Sequence, residues 1–156
     1  MLGRNVGGIP LAWRSSSRSL SAIHDGGWHS SRNIAQGSGA SRALQLHHVC
    51  RKGQFEAAQT ELFADDAVSI EPDGSPMEMA EGLAAIQEKG RQFMASVEEM
   101  HRIIISEPVV AGNFFTVSMV LDTTFEGRGR VNMEELCVYE VDDGLIVSEQ
   151  FFYSVG

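Results

Sequence analysis

Near residue 100 the chain changes its hydrophobic period, and that change constrains the fold more than any other feature. Before it, apolar residues recur at helical spacing. Leu44, Leu46, Val49 and Cys50 predict a helix that ends near Gly53, and Phe55, Ala58 and Leu62 predict a second. Gly82 opens a third, with Leu83, Ile86, Gly90, Phe93 and Val97 on one stripe, where Gly90 would let the helix approach a sheet closely. After it the period is 2. Residues 100–110, 114–125, 131–141 and 145–155 read as strands rich in Val, Ile, Thr and Phe. Turn signals separate them at Ala111-Gly112-Asn113, Gly127-Arg128-Gly129 and Asp142-Asp143-Gly144. Helices followed by an antiparallel meander define an α+β fold, with N-terminal helices covering one face of a curved sheet.

One strand precedes the change. Residues 67–71 are strand-like, follow the carboxylate pair Asp65-Asp66, which reads as a turn, and stop at Pro72 and the Asp73-Gly74 turn. The stop leaves Glu71 at the mouth of whatever the strand encloses.

The 156 residues suffice for one domain and a tail. Residues 1–41 are rich in Gly, Ser and Arg, lack a sustained period and divide from a domain at 42–156. Residues 1–42 carry five arginines against one aspartate, whereas the rest carries 7 basic and 20 acidic residues. The Arg- and Ser-rich, acid-poor start matches an organelle transit peptide in composition. It equally fits an untargeted disordered extension, so a mitochondrial or other organelle and the cytoplasm both stay open. The acidic body repels phosphate backbones, which argues against nucleic acid as a partner. No apolar run reaches the roughly 18 residues of a membrane span. Cys50 and Cys137 lie far apart, and His47 and His48 diverge on their helix. Neither set has metal-ligand spacing, and no cofactor is expected.

The element order and several motifs resemble the nuclear transport factor 2-like superfamily, the cystatin-like cone, and within it the SnoaL-like and ketosteroid-isomerase branch. The resemblance rests on Arg51-Lys52-Gly53-Gln54-Phe55, Leu62-Phe63-Ala64-Asp65-Asp66-Ala67, Glu71-Pro72, Gly82-Leu83-Ala84-Ala85-Ile86 and Val141-Asp142-Asp143-Gly144-Leu145-Ile146-Val147. It implies a cone-shaped pocket for a small, largely apolar molecule and a homodimer formed through the outer sheet face, here around Phe114, Thr116 and Val138. The scaffold hosts isomerases, cyclases and dehydratases as well as non-enzymes, so the fold does not name an activity. Ketosteroid isomerases move a proton with an Asp placed before a Pro, and Glu71 holds that place here. Their oxyanion-hole Tyr would fall near Leu46, which cannot donate, and their buried acid near Glu135 to Cys137. The isomerase set is therefore incomplete.

The candidate catalytic residues are Glu71 and Glu135. A carboxyl in an apolar cone should have its pKa raised, which suits proton transfer near neutral pH. Glu134 and Glu135 point to opposite faces, and if Tyr139 lines the cavity so does Glu135. A surface salt bridge is the competing fate for either. The candidate ligand contacts are Tyr139, Tyr153, Met119 and His101, the last expected near the cavity mouth. Against these stand ordinary roles: phenols satisfied internally, a structural His, and methionines that merely fill an irregular core. Glu149 shares a face with Phe151 and Tyr153, and Arg102 or Arg130 is its expected partner. Two functions stay open: cofactor-free acid/base catalysis of isomerase, cyclase or dehydratase type, and a non-catalytic ligand-binding or dimerisation module.

Overall fold

The computed structural model describes residues 39–155, and the readings of residues 1–38 lie outside them. Three helices and seven strands follow in the order α1 (Gly39–Cys50), α2 (Phe55–Leu62), β1 (Phe63–Ile70), β2 (Met79–Glu81), α3 (Leu83–Ala95), β3 (Val97–Ile105), β4 (Val109–Ala111), β5 (Phe114–Phe125), β6 (Gly129–Asp142) and β7 (Leu145–Phe152). The helix starts at Gly39, three residues before the expected domain boundary. A Cβ at position 39 would sit 3.0 Å from the Gly112 carbonyl oxygen, so the glycine lets α1 approach the β4–β5 turn closely.

The strands form one curved, unclosed sheet in the order β2-β1-β7-β6-β5-β3, with β4 also paired to β5. The α+β class is as expected. Pairing is antiparallel except between β1 and β7, which run parallel. A meander cannot reveal that contact, because it joins the strand between the helices to the last strand of the chain. β6 and β7 meet through a two-residue turn in which Asp143 and Gly144 both have positive φ, 43° and 77°. That is the hairpin geometry whose twist matches its strands. The Arg42 guanidinium donates to the Gly144 carbonyl and ties α1 to this turn.

Three local readings are corrected. Asp65 and Asp66 form no turn: they lie exposed within β1, where the register against β7 shifts between Phe63 and Val68. The irregularity lets Phe63 and Ala64 both be buried while the two aspartates face out. Gly90 faces α2 instead of the sheet; a Cβ there would meet the Gln59 side chain at 3.9 Å. Residues 100–110 form two strands, because Ser106-Glu107-Pro108 interrupts them.

Period-2 burial sets the inner face. Phe115, Val117, Met119, Leu121, Thr123 and Phe125 point inward from β5, and Cys137, Tyr139 and Val141 from β6. On β7 the register slips between Glu140 and Val141: Ile146 pairs Val141, but Ser148 pairs Glu140. The extra residue, Val147, resets the phase so that Ile146 and Glu149 are both buried.

Candidate functional site

The helices and the inner sheet face enclose a cavity of about 320 Å³. Its wall is mostly apolar: Leu46 from α1, Phe55 from α2, Phe93 from α3, Met119 and Leu121 from β5, and Phe151 from β7. Polar groups enter from four directions. Ser69 points inward from β1, and Glu71, two residues on, keeps that face where Pro72 ends the strand. Glu135 and Tyr139 come from β6, Glu149 from β7 and Tyr153 from just beyond it. Lys89 reaches in from α3.

Lys89 and Glu71 form an ion pair, Nζ to Oε1 2.6 Å, with side chains only 18% and 15% exposed. The same ammonium donates to Ser69 Oγ at 2.5 Å and lies 4.9 Å from the centre of the Phe151 ring. Ser69 in turn hydrogen-bonds Glu149. Glu149 is buried, and burial raises its pKa from the ordinary range, while Ser69 and Lys89 act to lower it. Arg102 and Arg130 are not its partners; Arg130 pairs with Asp122 at 2.7 Å on the exterior. The burial of β7's inner face turns Glu149 away from both.

Among the described residues, no cation is in hydrogen-bond contact with Glu135. The Cys137 thiol donates to it weakly, Sγ to Oε1 3.6 Å. Burial pushes the Glu135 pKa up to about 7, and repulsion from Glu71 adds to the rise. It lines the cavity instead of joining a surface salt bridge, whereas Glu134 is exposed. Burial raises Tyr139 well above the ordinary phenol range, and its ring stacks on Phe115 at 4.7 Å. Tyr153 is pushed up to about 12 by burial, by the Glu71 charge and by its hydrogen bond to Glu71. Both phenols are therefore donors at neutral pH. Arg91 also borders the cavity, half-exposed and paired with Glu56 and Glu88.

Of the residues singled out in the sequence, the structure brings Glu71, Glu135, Tyr139, Met119 and Tyr153 to one cavity. His101 is a correction. It does not line the cavity; its Nε2 hydrogen-bonds Thr124 Oγ1 at 2.7 Å and its Nδ1 lies 3.4 Å from Glu99. The register shift between Met100 and Arg102 leaves His101 without a ladder partner on β5. Leu46 lines the cavity. Lys89 and Glu149 are the groups that sequence reasoning missed as site residues. For Lys89 a signal existed: it lies three residues after Ile86 and four before Phe93, on the buried stripe of α3.

The geometry is thus an apolar cone holding three buried or part-buried carboxyls, two phenols and a fixed ammonium, with the exposed Glu56–Arg91 pair at its border. The SnoaL-like domain family matches residues 39–153, so the chain belongs to that family, whose fold is the nuclear transport factor 2-like cone. Among solved structures, a predicted SnoaL-like polyketide cyclase from Mesorhizobium loti is 30% identical, with 73% of this chain and 97% of that one covered and a TM-score of 0.70. A second predicted SnoaL-like polyketide cyclase, from Jannaschia sp. CCS1, is 14% identical over 78% of this chain and 88% of its own, TM-score 0.62. A protein of ketosteroid isomerase-like fold from Catenulispora acidiphila, solved with trimethylamine, is 18% identical over 73% and 85%, TM-score 0.60. Comparison with curated proteins returns no match.

Proposed function

We propose that the cavity binds a small, largely apolar, carbonyl-bearing molecule and moves a proton on it without a cofactor. Glu71, ion-paired, takes the proton from the carbon beside the carbonyl. Glu135, half-protonated near neutral pH, donates a hydrogen bond to the carbonyl oxygen as negative charge develops there. The enolate so formed is the common intermediate of isomerisation, of aldol-type cyclisation and of dehydration. One observation carries the proposal: two carboxyls of one cavity stand in opposite settings, Glu71 against an ammonium and Glu135 desolvated with its pKa raised to about 7. Groups whose environments separate their protonation states are the usual acid and base of such sites. The likeness to the Mesorhizobium loti protein supports a substrate of polyketide type, which is rich in acidic C–H bonds next to carbonyls. At roughly 30 Å³ per non-hydrogen atom, the share of liquid volume a water takes, the cavity accommodates on the order of ten such atoms.

The test uses the full chain and 2-tetralone in deuterated buffer, with α-carbon exchange followed by NMR. The wild type accelerates exchange, and Glu71→Gln lowers the acceleration by about 10²-fold or more while the chain stays folded. The catalysed rate falls as pH rises through about 7, because Glu135 loses the proton it donates. Saturable binding of the ketone with no acceleration at any pH replaces this reading with the non-catalytic one.

The outer sheet face favours a second role. Ile104, Phe114, Leu136 and Phe152 are each 44–47% exposed. The register of β3, β5, β6 and β7 places Ile104 beside Val120, Leu136 beside Ser118 and Phe152 beside Leu136, all on the face opposite the cavity. We propose that this apolar face is covered by a second copy of the chain, because contiguous apolar surface of this kind marks interfaces.

A further inference from the structure

The three carboxyls of the cavity are not equivalent, and the asymmetry traces to Lys89. An ammonium has three donors and no acceptor. One donor goes to Glu71 Oε1 at 2.6 Å and one to Ser69 Oγ at 2.5 Å, while the group itself lies 4.9 Å from the Phe151 ring centre. A hydroxyl can accept from one partner while donating to another, so Ser69 passes the contact on to Glu149. Lys89 thus addresses Glu71 directly and Glu149 through one hydroxyl. Glu135 receives neither contact; the group hydrogen-bonded to it is the weak thiol donor of Cys137.

Resting on the reading of Glu71 as the base, we infer that Lys89 is the positioning residue that commits Glu71 to that role and leaves Glu135 to be the acid. Without a fixed cation, carboxyls facing one cavity share protons as a coupled set, and neither is a committed base. With it, one carboxylate is oriented by a direct 2.6 Å contact to a fixed ammonium. The Lys89 stem serves the same end. It lies along the buried stripe of α3, so the ammonium is delivered at a fixed depth instead of ranging over the surface.

The other titratable groups around the cavity do not substitute for Lys89. From β6, Tyr139 and Cys137 are neutral donors near neutral pH, and so are Tyr153, beyond β7, and Cys50, on α1. At the border, Arg91 of α3 is engaged by Glu56 of α2 and by Glu88.

The test compares the full-length wild type with Lys89→Met and Lys89→Arg. The readout is the carboxyl-carbon NMR titration of Glu135, which needs no substrate. In the wild type a midpoint near 7 is expected. Lys89→Met removes both the positive charge that favours ionised Glu135 and the direct partner of Glu71, so the midpoint shifts and the curve becomes two-step as the two carboxyls share protons. Lys89→Arg keeps the midpoint within a few tenths of a unit. Lys89→Gln, polar but uncharged, gives the same discrimination should the Met variant not fold. An unshifted, single-step curve in a folded, uncharged variant overturns the inference and reduces Lys89 to a structural contact. In ketone exchange, Lys89→Met loses about tenfold or more, and Lys89→Arg recovers most of it. A shifted titration in a protein whose wild type exchanges no ketone upholds the electrostatic assignment and sinks the catalytic reading instead, so the two failures are told apart.

Discussion

Replacing Glu135 by Gln tests the electrostatics of the cavity through stability alone. The carboxyl moves from an ordinary value of 4.5 in the unfolded chain to about 7 in the folded one. At about 1.4 kcal/mol per unit, that gap of roughly 2.5 units corresponds to about 3 kcal/mol. The sign follows from proton counts. Between about pH 4.5 and pH 7 the folded chain holds a proton on Glu135 that the unfolded chain has released. Raising the pH therefore draws the equilibrium toward the unfolded state, and this contribution is fully present below about pH 4.5 and lost by the time pH passes 7. Gln keeps the shape and the donor but does not titrate. The assay is urea unfolding of the full chain followed by circular dichroism, at constant ionic strength, from pH 4.5 to 8. The stability of the wild type minus that of Glu135→Gln is expected to fall by about 3 kcal/mol across the range, with equal m values at each pH. Since repulsion from Glu71 is the second cause of the rise, a Glu71→Gln background should narrow the window from its upper end. A difference between the two proteins that stays flat within about half a kcal/mol over that range refutes the desolvated setting assigned to Glu135, and the acid role with it.

Two further outcomes follow from the same structure. Burial pushes the Cys50 thiol up to about 12 and the Cys137 thiol higher still, so neither thiolate forms near neutral pH and iodoacetamide at pH 7.5 should label the folded chain at least about 10²-fold more slowly than the urea-unfolded one; equal labelling rates would falsify the placement of either cysteine. On the outer face, Leu136→Arg places a charge in the centre of the apolar surface and should convert a dimer, measured by sedimentation equilibrium, to a monomer with its cavity titrations intact. A wild type that sediments as a monomer at 100 micromolar removes the second-copy proposal.

The architecture was legible where period and turn chemistry agreed. Strand β5 runs from Phe114 to Phe125 as its alternation predicts, and Asp143-Gly144 forms the tight turn its residues specify. The misreadings have local causes. Asp65-Asp66 carries turn chemistry, yet both lie in β1 between Phe63 and Val68, which pair in parallel with β7, some 80 residues away in sequence. Tertiary contact overrides local preference there, and no nearby residue announces it. His101 was misplaced because a register shift changes which face a strand residue occupies, and such a shift leaves no mark in an alternating sequence.

The candidate site was legible as positions and not as a circuit. Glu71, Glu135 and Tyr139 could be placed on an inner face by counting alternate residues. What assigns them different tasks is a lysine on another element, and Lys89 was overlooked because a charged residue on a helix is ordinarily solvated. Its position three after Ile86 and four before Phe93 carried the opposite message. A cation inside an apolar stripe must be paired or it costs free energy, so its presence there requires a carboxylate nearby. By the same logic Glu149, buried on the Ile146 face, requires a donor, and Ser69 at the paired position of β1 supplies it. Each buried charge thus predicts its partner, and following the pairs from Glu149 through Ser69 and Lys89 ends at Glu71. Glu135 stands outside that chain of direct contacts, and its burial without a cation in direct contact is the property that fits it to hold a proton near neutral pH.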